Sequence, residues 1–254
     1  MHTNGWKGLE VIANPSQMGT SIIAVASYGD DLEAVSELLS ALPAECSATF
    51  IVAQCLNSGR ERLLEEALAK RTILPVMRAQ DGVVAEQDHI YLIPANSTLT
   101  MTGRRIRVTP NASKDHHPGD ILFTSLAEER GDRAIGVVLS GGGSDGALGV
   151  QAIKQGGGST FAQYPGSARF PSMPISAIET GCVSFVLRPN EIARELTRLS
   201  RRDAVPLAGV ARSVLVIDDK AGLHRGGGAA GAFLGPVRPT SGLDALDVAG
   251  RGVV

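Results

Sequence analysis

The sequence predicts an α/β domain in which a mostly parallel sheet is covered by helices on both faces. Two observations carry this. Short apolar runs alternate along the chain with segments of helical period. The runs are also apolar throughout instead of alternating with polar residues, as strands buried on both faces are.

Residues 21–26 form the first apolar run, broken by Ser27-Tyr28-Gly29-Asp30-Asp31. Apolar residues then recur at Leu32, Val35, Leu38, Leu39 and Leu42, which is helical spacing, and Pro43 ends the helix. Residues 49–53 read as a second strand and 60–70 as a second helix. Residues 91–94 read as a strand, and 104–108, after the turn at Thr102-Gly103, as one arm of a hairpin. A helix is expected over 120–130. The clearest strand, 135–139, runs directly into a glycine-rich loop and a helix over 147–155. Strands at 159–162 and 184–187 and a helix over 190–199 complete the pattern. In such sheets ligands bind beyond the carboxyl ends of the strands. The residues after Ala26, Ala53 and Leu139 are therefore expected to meet.

The chain is organised as a leader over 1–20, a domain over 21–199 and a tail over 200–254. Within the tail, residues 214–219 are a strand-like run ending in Asp218-Asp219, like the first strand of a receiver, and a glycine- and proline-containing stretch follows. Of 254 residues, 43% are hydrophobic, so core material is ample, and a net charge of -2 argues against a nucleic-acid or anionic-lipid partner. The sequence holds no apolar run of about 18 residues, and none of its start resembles a signal peptide. Cys46, Cys55 and Cys182 are odd in number and lack metal-like spacing. The expectation is a reduced, cytoplasmic protein with no metal or cofactor.

Ser27 ends a strand and opens a turn, so it suits either a nucleophile at the sheet rim or the N-cap of the next helix. It does not sit in a G-x-S-x-G elbow. Asp145 lies in the loop after the best strand, where it suits either a site acid or the cap of the helix at 147–155. A phosphate cradle is a poor fit because the P-loop lysine is missing. A serine and an aspartate at two strand ends call for a histidine between them. The natural donor strand is instead followed by Gln54-Cys55-Leu56.

These residues resemble the catalytic domain of the CheB protein-glutamate methylesterases, most closely the version fused to a CheR methyltransferase. Val25-Ala26-Ser27-Tyr28-Gly29-Asp30 stands where the family writes G-A-S-x-G-G. Ala53-Gln54-Cys55-Leu56 stands for V-Q-H-[ML], and Leu139-Ser140-Gly141-Gly142-Gly143-Ser144-Asp145-Gly146 for L-[ST]-G-x-G-x-D-G. The runs His116-His117-Pro118-Gly119-Asp120, 125–131 and 173–178 are also similar. The resemblance spans roughly residues 21–199. It implies a doubly wound sheet with a small antiparallel hairpin. It also implies hydrolysis of glutamyl methyl esters, or deamidation of glutamines, on the cytoplasmic region of chemoreceptors, with a CheR-type methyltransferase as a further partner. Ser27 would attack, a histidine would take its proton, and Asp145 would hold that histidine. Tyr28, Gly142 and His116 would lie in the substrate-binding or oxyanion region.

This chain departs from the pattern at the base, where Cys55 replaces the histidine, and at Asp30, where a second glycine is expected. A free thiol has a pKa of about 8.5 and a neighbouring acid raises it, so little thiolate is present at neutral pH. Loss of the histidine from a protease triad costs about 10⁶ in kcat, while an oxyanion site alone retains roughly 10³–10⁴ over water. The expectation is a weakened esterase, with a non-catalytic receptor- or partner-binding module as the alternative. His116 or His117 acting as base, or Cys55 as nucleophile, would rescue activity.

Overall fold

A computed structural model describes residues 20–29, 32–55, 61–111, 117–203 and 215–216. In chain order the elements are β1 (Ser21–Tyr28), α1 (Glu33–Ser40), β2 (Ala48–Cys55), α2 (Glu61–Ala69), β3 (Val76–Arg78) and β4 (Ile90–Leu92). There follow β5 (Ser97–Thr102), β6 (Arg105–Pro110), α3 (Pro118–Arg130), β7 (Ile135–Val138) and α4 (Ala147–Gln155). The last are β8 (Ser159–Gln163), α5 (Ser172–Glu179), β9 (Phe185–Leu187), α6 (Pro189–Asp203) and β10 (Leu215–Val216).

One sheet has the order β10-β9-β8-β7-β1-β2-β4-β3, and its pairs are parallel. β5 and β6 make a separate antiparallel hairpin that turns at Gly103, whose φ is +60°. This is the doubly wound sheet with a small hairpin. The strand order reverses at β1, with β2 on one side and β7 on the other, so the crevice at their carboxyl ends is the natural ligand site. Ala26 lies opposite both Ala53 and Val138, which brings the three expected strand ends together.

The apolar strands have the reason given for them. Along β1, Ile23 and Val25 pack with Leu38 of α1, Leu68 of α2 and Leu196 of α6. Ile22, Ala24 and Ala26 face Phe123 of α3, Val150 of α4 and Met173 of α5 on the other side. Both faces are covered, so period-two alternation has no role here. The hairpin seats Leu99, Met101 and Ile106 in this second layer, and the Ser125 hydroxyl accepts the Met101 N–H at 2.8 Å.

Four features exceed the sequence reading. β5 supplies the hairpin's first arm, β3 is a three-residue edge strand, and α5 forms despite Pro174, which sits in its first turn where no helical N–H partner is lost. α6 runs on to Asp203, with Ser200, one turn past Leu196, still buried. The leader over 1–20 and the tail past 203 lie outside the described residues, except Thr20 and β10, which pairs with β9. Among the described residues no helix is long and apolar enough to cross a membrane.

Candidate active site

Ser27 is the penultimate residue of β1 and only 1% exposed. It does not cap α1: Leu32 holds the N-cap position there, with no side-chain cap bond of its own. β1 simply continues through Tyr28, which carries Ser27 too far from the helix to cap it. The Ser27 hydroxyl instead donates to the Ser140 carbonyl at 2.8 Å, binding the end of β1 to the loop after β7.

Asp145 is likewise not the cap of its own helix. Gly146, in the left-handed region at φ +91°, takes that position. The turn swings the Asp145 carboxylate across to the start of α3, where one oxygen accepts the Gly119 N–H and the other the Asp120 N–H, each at 2.9 Å. Those are donors that a helix start leaves without internal partners. Asp120 in turn accepts the Gly149 N–H of α4 at 2.8 Å, so the two helix starts cap each other. Burial pushes the Asp145 carboxyl up, and the two main-chain N–H groups only partly offset that.

The approach is close enough to demand glycine at two places. A Cβ on Gly119 would lie 2.8 Å from Ala26 Cβ and 3.0 Å from both Asp145 oxygens. A Cβ on Gly141 would collide with Met173 Sδ and lie 2.8 Å from the Tyr28 nitrogen. Ser27's neighbours, Asp145 and the start of α3 thus share one edge of the sheet.

Tyr28 is half exposed and Gly142 is open to solvent, with nothing within 4 Å of where its Cβ would be. Both suit a surface that meets a substrate. The Cys55 main chain closes β2 opposite Tyr28. His116 and residues 56–60 lie outside the described residues.

Two residues matter here beyond those the sequence singled out. Gln54 donates to the Gly29 carbonyl at 2.7 Å, while its buried Oε1 has no partner among the described residues. Gln163 accepts the Ser140 N–H at 2.8 Å and so fixes the residue that holds Ser27. Gln54 stood inside the quoted run, but Gln163 carried no signal, since its partner is 23 residues away.

One atom each from His117, Asp120 and Asp145 lies within 4.8 Å of the others, the spacing of a metal site. The two carboxylates each already accept N–H groups at helix starts, where the helix dipole disfavours a cation. This set does not fit a cation well.

A doubly wound parallel sheet with a small antiparallel hairpin, and a serine and an aspartate near its switch point, defines the class as a doubly wound α/β domain. The chain belongs to the CheB methylesterase family, whose model matches residues 22–196. A 104.1 kDa protein of Rhodobacter capsulatus is 44% identical over 124 residues, 47% of this chain and 13% of that one. A protein-glutamate methylesterase/protein-glutamine glutaminase of Paramagnetospirillum magneticum is 33% identical over 182 residues, 70% of this chain and 51% of that one. The CheB methylesterase catalytic domain of Thermotoga maritima has the same fold, with a TM-score of 0.66 at 24% identity, covering 71% of this chain and 99% of that one. The chain thus spans about half the length of the second relative and far less of the first.

Proposed function

We propose that this chain hydrolyses glutamyl methyl esters, and glutamine amides as well, on the cytoplasmic region of methylated chemoreceptors in a chemotaxis-like pathway. The observation that carries the reading is the shared edge of Ser27 and Asp145 inside the span that matches the family. The relative from Paramagnetospirillum magneticum bears the corresponding name. In this reading Ser27 is the nucleophile and Asp145 orients the base. Tyr28 and Gly142 line the substrate surface, and His116 belongs to the same region. The replacement of the family's histidine by Cys55 weakens activity. A CheR-type methyltransferase is a fitting partner, since it makes the ester that this site removes. The setting would be the cytoplasm, and no step calls for a cofactor or a metal.

A second reading, a non-catalytic module that holds a receptor or partner segment, is favoured by the Ser27 hydroxyl itself. It is buried and, among the described residues, donates to the Ser140 carbonyl. Methanol release from a methylated receptor fragment separates the two. The esterase reading expects release that Ser27→Ala abolishes. Equal release from both proteins, with binding of the fragment retained, would establish the binding module instead.

A further inference from the structure

We infer that His117 is the general base of this site, acting in place of the histidine that the family carries at position 55. The inference rests on the esterase reading above and names the residue that reading lacks.

Four observations support it. His117 immediately precedes α3 and its Nδ1 stands 3.9 Å from Asp145 Oδ1. Each Asp145 oxygen accepts one main-chain N–H, which leaves a second lone pair free for an imidazole. With Nδ1 turned to the carboxylate, Nε2 is left as the outward acceptor, the arrangement a serine–histidine–aspartate site needs. His117 is also two residues from Gly119, a span of no more than ~7 Å between Cα atoms. Gly119 in turn packs so tightly on Ala26, the neighbour of Ser27, that a Cβ there would lie 2.8 Å away. The imidazole is therefore tethered beside the nucleophile strand. Its side chain is 51% exposed, so it is free to swing. The acidic groups that lie with it, one atom of each within 4.8 Å of the imidazole, are the Asp120 and Asp145 carboxylates.

The 3.9 Å separation is longer than a hydrogen bond, and the Ser27 hydroxyl points at Ser140. Both must tighten when substrate binds, as catalytic hydrogen bonds often do. In the reaction, the Ser27 proton passes to His117 Nε2 as Oγ bonds to the ester carbonyl carbon. The C–O bond to the methoxy group then breaks, and the leaving group takes that proton and departs as methanol. Water attacks the acyl-serine and gives a proton to the same nitrogen. Oγ leaves and recovers it, and glutamate is released.

The test uses the full chain and a synthetic peptide carrying a glutamyl γ-methyl ester, with methanol release followed across pH. His117→Gln should lower the Ser27-dependent kcat/KM about 100-fold or more. It should also erase the acidic limb of the profile, with the thermal melt unchanged. Adding Cys55→His to that variant should restore both, because it returns an imidazole to the family's position. Activity within about threefold of wild type and an unchanged limb would overturn the role of His117 and leave the esterase reading standing. A loss that Cys55→His does not repair would also overturn it, marking a structural defect. If wild type and Ser27→Ala release methanol alike, the esterase reading and the role of His117 fall together.

Discussion

Burial and hydrogen bonding set the chemistry of single residues here, and they act in opposite directions on two of them. Cys46 is fully buried, and that burial, with the hydrogen bond to Asp88, pushes its thiol up to about 12. It is an inert core residue, as small buried cysteines commonly are. For Asp88, burial would raise the carboxyl, but the Cys46 thiol, the Gln87 amide and the Cys46 and Ser47 N–H groups outweigh it and bring it below its usual value. Asp145 ends on the other side of balance, raised because desolvation dominates. A raised acid binds its proton more tightly folded than unfolded. Its contribution is fully present below the ordinary carboxyl value of 3.8 and is lost as pH rises through the raised value. Wild type should therefore lose stability relative to Asp145→Asn as pH rises from the ordinary value of 3.8 through the raised one. Parallel urea midpoints would check this, and identical pH slopes in the two proteins would contradict it.

The elements that matter to the site are helix starts. α3 and α4 begin side by side, and each is capped by an aspartate whose place in the sequence belongs elsewhere. Asp145 precedes α4 but caps α3; Asp120, in α3, caps α4. Local pattern rules read capping along the chain, so they assign Asp145 to the helix that follows it. The same rules read Ser27 as a cap for α1. Both readings fail because strand and turn geometry aim these side chains across the fold. Gly119 makes the arrangement possible. Gly119→Ala should force Ala26 and the Asp145 carboxylate apart and cost about 1–3 kcal/mol as an overpacked site. Chemical denaturation reads the loss, and an unchanged midpoint would mean that α3 can back away freely.

At the scale of the whole molecule, two apolar layers hold the sheet, and Phe123 anchors the one beneath the site. It is fully buried, and its ring lies 3.1 Å from where a Cβ on Gly136 of β7 would be. It also presses on Gly149 of α4. Phe123→Ala should cost about 3–5 kcal/mol and lower the thermal midpoint accordingly. A melt within a degree or so of wild type would show that the layer collapses to fill the space.

The sequence by itself determined most of the sheet and its helices, and the meeting of the strand ends after Ala26, Ala53 and Leu139. Apolar runs and helical periods are local signals, and parallel strands joined by helices admit few topologies. It also marked Ser27, Cys55 and Asp145, through a pattern spread over the domain. Only the tertiary structure decided what those side chains touch. Asp145 reaches α3, Ser27 rests on Ser140, Gln163 holds Ser140, and His117 faces Asp145. These are contacts between residues tens of positions apart. Their geometry follows from the register of β1, β7 and β8 and from the turn at Gly146, which no periodicity in the chain encodes.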